Sequence, residues 1–244
     1  MARLGLRSFP TTDDSLYFSA LKLLRVGPEF IPPRTNLLEY IQQPFIKPIE
    51  VHPINYNLYF KSKLDPDAFD KFFVNSLNAS SRLWSEYLIQ IPCPPKFGLT
   101  EDSFHSFWDA LIFKPFKIAC PSGNFNRNSN CHTYTKRFLP DFSYLVFDAC
   151  LARGEKKGPD NNDNPAAELI SKLTWTYGNC PYIFGYYAHG TVVTYCYLYF
   201  EENQVKRKDL VTCLLENLEG RIQAFNIGIN IGRLLPLLRQ TLPE

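Results

Sequence analysis

The chain has 244 residues, of which 45% are hydrophobic and 20% are charged, and its 26 Lys and Arg against 24 Asp and Glu leave a net charge of +2. This composition excludes a disordered chain and a strongly basic, histone-like protein. The seven cysteines contain no C-x-x-C pair, which argues against a disulfide framework or a zinc site. No apolar run has signal-peptide or membrane-spanning length, so we predict a soluble, intracellular protein without membrane contact.

The first part of the chain is punctuated by proline, since fourteen of the 19 prolines precede Asp141. Proline fixes φ and removes a backbone donor, so we predict a Pro-rich arm over residues 1–60. Asp65 and Pro66 then predict a helix start. A second helix is predicted from Thr100 through Ile112, ended by Pro115.

The residue pattern changes after a polar, Asn-rich loop that is predicted over residues 121–131. Period-two patterns predict four strands, with turns at Asp148 and Gly190 between the members of each pair. A helix from Pro165 through Trp175 is predicted between the two strand pairs, and a helical pattern resumes at Asp209. We therefore predict an α/β fold with a mixed β-sheet flanked by helices: a core over residues 61–204 and a C-terminal helical segment over 205–244 that packs on it.

Two carboxylates and a lysine mark the first strand pair. Asp141 stands at the start of one strand, and Glu155 and Lys157 share one face of the next strand because side chains alternate with period two. Two carboxylates so placed can share Mg²⁺, with Mn²⁺ as the alternative ion, and the lysine can neutralise charge on a phosphate. The competing interpretation is a surface hairpin with an ordinary Glu–Lys pair.

These residues resemble the PD-(D/E)xK nuclease superfamily, with Pro140-Asp141 as the first element and Glu155-Lys156-Lys157 as the second. Residues 139–238 look more closely like the nuclease-type domain of Crinkler effectors, through LPDFSYLVF, ARGEKK and the stretch that begins ELISKLTWTYGN. The resemblance implies a restriction-endonuclease-like core and metal-dependent DNA cleavage. This sequence differs from that family in two respects. It does not contain the leucine-rich header expected of the family, and it does not contain the kinase domain found in some relatives.

The resemblance also implies that the helix after the Glu-x-Lys strand contributes to the site, which makes Glu168 and Lys172 candidates. A solvated intrahelical ion pair is the alternative for them. Glu101 and Asp109 are further candidate metal ligands, and helix capping is the alternative for Glu101. The basic residues near the motif could bind phosphate groups, and they are Lys136, Arg137, Arg153 and Lys156.

The function predicted from these features is that of a Mg²⁺-dependent endonuclease with Asp141, Glu155 and Lys157 as catalytic residues, acting on DNA in the nucleus of the producing or a host cell. The sequence does not decide between DNA and RNA as the substrate, because it contains no motif that indicates contact with a 2′-hydroxyl. A homodimer also remains open. The rival from another class is a non-catalytic DNA-binding or protein-interaction effector on the same fold.

Overall fold

A computed structural model describes residues 22–46, 48–77, 93–96, 100–127 and 140–243. The chain divides into two compact units, one formed by Met1–Leu24 with Phe45–Gln90 and the other by Arg25–Pro44 with Ile91–Glu244. The domain boundary predicted at residue 60 therefore falls inside the first unit. Within the described ranges, no helix combines the length and the apolar character needed to cross a bilayer.

The described residues include seven helices and eight strands. The helices are α1 (Leu37–Gln42), α2 (Pro53–Asn55), α3 (Pro66–Phe72), α4 (Glu101–Trp108), α5 (Lys114–Ala119), α6 (Pro165–Ser171) and α7 (Leu218–Gln240), with π-helical turns at Tyr56–Phe60 and Asp109–Phe113. The strands are β1 (Ile49–Val51), β2 (Phe73–Asn75), β3 (Gly123–Asn126), β4 (Phe142–Val146), β5 (Ala149–Lys157), β6 (Ile183–His189), β7 (Val192–Glu201) and β8 (Gln204–Leu214).

The first unit is built on the parallel pair β1–β2 and on helices α2 and α3. As predicted, α3 starts after Asp65, whose carboxylate accepts a hydrogen bond from the N–H of Asp67. Its core is aromatic, because Phe69 packs edge-on against Phe60 and Tyr56 and lies beside Phe73.

The second unit contains a six-stranded sheet in the order β3-β4-β5-β6-β7-β8, which is the predicted mixed sheet. Only β5 and β6 run parallel, and every other neighbouring pair is antiparallel. Helix α6 packs on β5 and β6, whereas α7 packs on α5 and reaches β4, β5 and β8. The backbones of α5 and α7 approach closely, since a Cβ added at Gly228 or Gly232 would lie 2.7 Å from Pro115 or Ala119.

Three of the predicted elements differ from the structure. Residues 123–126 form β3 rather than part of a loop, because Phe125 packs against Phe113 and Phe142 while its backbone pairs with β4. The helix predicted to end at Pro115 continues to Ala119, because the π-helical turn lets the proline occupy the first turn of α5. The helix opened by Pro165 ends at Ser171.

The largest difference lies in the C-terminal segment. Residues 204–214 form strand β8, and the predicted helix begins only at Leu218. The turn at Glu202 and Asn203 has positive φ angles of 53° and 64°, which suits a tight hairpin, and β8 then pairs along the whole of β7. These backbone hydrogen bonds outweigh the four-residue spacing of leucines that indicated a helix.

Candidate functional site

Asp141 and Glu155 meet where β4 begins and β5 ends. Phe142 pairs with Gly154 across the hairpin, so the preceding Asp141 lies beside the last residues of β5. The Asp141 Oδ2 atom accepts a hydrogen bond of 2.8 Å from the backbone N–H of Lys156. The hairpin thereby fixes one carboxylate against the backbone that carries the other.

Glu155 is fully buried, with 0% of its surface exposed. Burial raises the pKa of its carboxyl group to about 8, and the negative charge of Asp141 adds to the rise, while a hydrogen bond from Lys172 opposes it. Among the described residues, the Oε1 atom of Glu155 has no hydrogen-bond partner. A buried carboxylate oxygen without a donor costs free energy, so this atom is suited to a ligand that the protein itself does not supply.

Two side chains of β5, one of α6 and that of Lys172, the residue directly after α6, form a chain of alternating charge. The ammonium group of Lys172 lies 2.7 Å from Glu155 Oε2 and 2.7 Å from Glu168 Oε2. The ammonium group of Lys157 lies 3.0 Å from Glu168 Oε1. The structure thus brings Glu168 and Lys172 to the predicted motif, and their intrahelical pair is one part of a larger network.

The ion pairs in this network shift the lysine pKa values upward. Burial by itself lowers the pKa of Lys157, but the hydrogen bond and charge of Glu168 outweigh it and raise that pKa. For Lys172, burial is likewise outweighed by the hydrogen bonds to Glu155 and Glu168. Both ammonium groups therefore stay charged at neutral pH.

Glu101, the first residue of α4, joins the site from a third element. Burial raises its pKa, and Asp141 raises it further, whereas Lys157 and Lys156 lower it. An open pocket of about 380 Å³ lies next to it, lined by Thr100, Glu101, Gly158, Asp160, Asn161 and Asn162. Glu101 is therefore a carboxylate on the open side of the Asp141 cluster.

Asp109 belongs to a different cluster. Both of its carboxylate oxygens lie 2.8 Å from Nη2 of Arg127, and Oδ1 lies 3.6 Å from the ammonium group of Lys156. The Lys156 side chain leaves β5 on the face opposite to Glu155 and Lys157, between the rings of Trp108 and Phe142. Asp109 is paired with two cations on the face of β5 opposite to Glu155, and its assignment as a metal ligand stays a prediction.

Two of the predicted nucleic-acid contacts are buried in the structure. Lys156 is 0% exposed and Arg153 is 4% exposed, so neither side chain reaches a phosphate backbone. The Arg153 guanidinium instead donates a hydrogen bond of 3.0 Å to the carbonyl of Lys172 and fixes the end of α6. Lys136 and Arg137 lie outside the described residues.

The sequence did not indicate several residues that shape the site. Arg127 neutralises Asp109, but it lies within the stretch that was predicted as a polar loop, directly after β3, and carries no distinguishing pattern. The loop after Lys157 forms most of the pocket wall, and His189 Nε2 lies 2.9 Å from the carbonyl oxygen of Asn161 in that loop. The position of this polar loop directly after the Glu-x-Lys strand was the signal that could have identified it.

The donor set of the cluster fits a hard divalent cation. Carboxylate oxygens are what Mg²⁺ prefers, and it is often held by one or two carboxylates with water completing its shell. Asp141 and Glu155 provide two such groups, and Glu155 Oε1 is free of a protein donor in the described part of the chain. The described residues contain no group of three or more His, Cys, Asp or Glu side chains that could hold a metal ion. A cation at this site would therefore depend on Asp141 and Glu155.

Comparison with known proteins gives one curated relative. The chain is 31% identical over 146 residues to Crinkler effector protein 8 of Phytophthora infestans, a stretch that covers 59% of this chain and 24% of that protein. The chain thus spans about a quarter of the length of the relative it matches. No family model and no solved structure matches. The similarity agrees with the predicted resemblance to Crinkler effectors.

Proposed function

We propose that this chain is the nuclease part of a Crinkler-like effector and that it hydrolyses phosphodiester bonds in DNA with the help of Mg²⁺. The observation that carries the proposal is the ion-pair chain that connects Glu155 to Lys157 through Lys172 and Glu168, with Asp141 hydrogen-bonded to the backbone next to Glu155. The loop that follows Lys157 forms, together with Glu101, an open pocket. In this proposal the six-stranded sheet is a restriction-endonuclease-like core. The similarity to a Crinkler effector supports the effector role, and nuclear action stays a prediction.

The proposed residue roles follow from charge and position. Asp141 and Glu155 would hold the Mg²⁺ ion, which when bound supplies positive charge to the scissile phosphate. Lys157 faces the same side of β5 and holds an ammonium group near the phosphate position, where it offsets the negative charge that grows in the transition state. Glu168 keeps that ammonium group charged and oriented.

The reaction adds one water molecule across the phosphodiester. Water oxygen bonds to phosphorus, the bond from phosphorus to the leaving oxygen breaks, and the leaving oxygen takes a proton. Glu101 borders the pocket from which water and substrate would approach, so it is placed as the accessory carboxylate. Arg153 and Lys156 have no direct role because each is engaged away from this pocket.

The test is cleavage of plasmid DNA and of a structured RNA by the full chain, with Mg²⁺ and with EDTA. Glu155→Gln keeps the size and the buried position of the side chain while it removes the charge. We expect it to lower the cleavage rate by about a hundredfold or more, as loss of one electrostatic group in an active site does. Glu202→Gln is the matched control, since Glu202 is also paired with a lysine but is exposed.

Each outcome of this assay decides between the candidates. Metal-dependent cutting of DNA that Glu155→Gln abolishes and Glu202→Gln keeps would support the proposal. If the chain cuts RNA but not DNA, the substrate in the proposal changes from DNA to RNA. Unchanged rates in folded Glu155→Gln, or DNA binding without cutting in wild type, would exclude the catalytic assignment and favour the non-catalytic effector.

A further inference from the structure

The two oxygens of Glu155 have different environments. Oε2 lies 2.7 Å from the ammonium group of Lys172, whereas Oε1 is buried and lacks a hydrogen-bond partner in the described part of the chain. A fully buried carboxylate beside a second one, Asp141, is stable only with a compensating cation. Lys172 is the side chain that provides this charge directly.

Lys172 is held so that its ammonium group can contact two carboxylates at once. Its carbonyl oxygen accepts a hydrogen bond from Arg153, and its backbone N–H donates to the carbonyl of Glu168, so the end of α6 is fixed. The side chain extends from this anchor to Glu155 and Glu168, at 2.7 Å from each, and 20% of it is exposed. Its ammonium group can therefore leave Glu155 and keep a partner in Glu168.

We propose that Lys172 is the counter-cation of the metal-free site: it holds Glu155 until a divalent cation binds, and it then retains Glu168 alone. This inference rests on the proposed metal-dependent function. Two cations on one carboxylate repel each other strongly at such short distances in a buried site. The ion pair between Lys172 and Glu155 should thus stabilise the metal-free fold and compete with the metal.

The test measures the unfolding temperature of wild type and of Lys172→Met in EDTA and in rising Mg²⁺. We expect Lys172→Met to unfold several degrees lower in EDTA and to approach wild type at saturating Mg²⁺. By linkage, its half-saturating Mg²⁺ concentration should fall about tenfold, since a competing charge has been removed.

Two further variants control for general effects. Lys206→Met removes another lysine held by two carboxylates, Glu201 and Glu202, but on the surface, and its small effect should be the same with and without Mg²⁺. Glu168→Gln removes the group that receives the displaced ammonium, so it should raise the half-saturating Mg²⁺ concentration. This opposite change keeps the test decisive if Lys172→Met does not fold.

The outcomes separate this inference from the proposed function. If Mg²⁺ does not change the unfolding temperature of wild type, metal binding itself fails and the proposed function fails with it. If Mg²⁺ stabilises wild type but the deficit of Lys172→Met is equal in EDTA and in Mg²⁺, the inference alone is overturned. An unchanged or lower half-saturating concentration in Glu168→Gln also overturns it.

Discussion

Successive residues of β5 send their side chains into two charged clusters on opposite faces of the sheet. Glu155 and Lys157 extend toward α6, while Lys156 extends toward Trp108 and Asp109. Gly154 makes room on the second face, since a Cβ there would lie 2.3 Å from the ring of Tyr186. Alternate residues of β5 therefore have different roles. Glu155 and Lys157 belong to the candidate site, whereas Gly154 and Lys156 pack on the opposite face of the sheet.

The buried ammonium group of Lys156 should make stability depend on pH. Burial lowers its pKa from the ordinary value of 10.5 to about 8, although Asp109 opposes the shift. Between these two values the unfolded chain binds more protons than the folded chain, so the free energy of unfolding contributed by Lys156 rises as pH increases. Below pH 8 the charged group is instead a cost to the fold.

We therefore expect Lys156→Met to stabilise the protein at pH 7 by about 1–3 kcal/mol, because Asp109 keeps its pair with Arg127. The gain should shrink as pH rises from 8 to 10.5. Urea unfolding at pH 7 and pH 10 measures this, with the exposed Lys208→Met as control. A destabilised Lys156→Met with no change between the two pH values would contradict it.

At the scale of elements, α6 positions half of the charge network although it has only seven residues. A helix this short is marginal by itself and depends on its caps and on packing. The Asn164 side chain accepts hydrogen bonds from the N–H groups of Ala166 and Ala167, and Arg153 holds the other end. Glu168 and Lys172 therefore rely on both ends of α6 for their positions.

Replacing the N-cap, Asn164→Ala, should lower the free energy of unfolding by about 1 kcal/mol, since two N–H groups lose their acceptor. Asn164→Asp, which restores the acceptor, should recover most of the loss. Thermal unfolding of both variants measures the effect, with the exposed neighbour Asp163→Ala as control. Equal stability of Asn164→Ala and Asp163→Ala would exclude capping as the stabilising contact.

At the scale of the whole second unit, α7 connects the sheet to the segment that contains α1. Asn230 is fully buried in α7 and donates from its side-chain nitrogen to the carbonyl oxygens of Ile41 and Gln43, at 3.0 Å and 2.8 Å. Ile41 lies in the last turn of α1 and Gln43 directly follows the helix. The last carbonyl groups of a helix have no partner within it and need donors from elsewhere. A residue near the end of the chain thus fixes a segment almost 190 positions earlier.

Asn230→Leu keeps the volume but removes the donor, so the buried carbonyl of Ile41 loses this partner, whereas that of Gln43 keeps a hydrogen bond from Asn226. We expect the unit to lose about 1–3 kcal/mol of stability. Denaturant unfolding, compared with Gln240→Ala at the exposed end of the same helix, measures this loss. A variant as stable as Gln240→Ala would indicate that these hydrogen bonds contribute nothing net.

Local patterns in the sequence determined the β4–β5 hairpin, the β6–β7 hairpin and the start of α3. The period-two alternation also placed Glu155 and Lys157 on one face of β5 and Lys156 on the other, because side-chain direction along a strand follows from the backbone alone. The hairpin turn placed Asp141 near them. These features depend on residues that are close in the sequence.

The tertiary structure alone decided what each charged side chain contacts. Nothing local indicated that Arg127 would engage Asp109, that Lys172 would bridge to Glu155, or that Arg153 would be buried against α6. Residues 204–214 became a strand because β7 offered an unpaired edge, although the leucine spacing from Asp209 onward favoured a helix. Burial and long-range pairing are set by elements far apart in the sequence, and their free energies exceed local propensities.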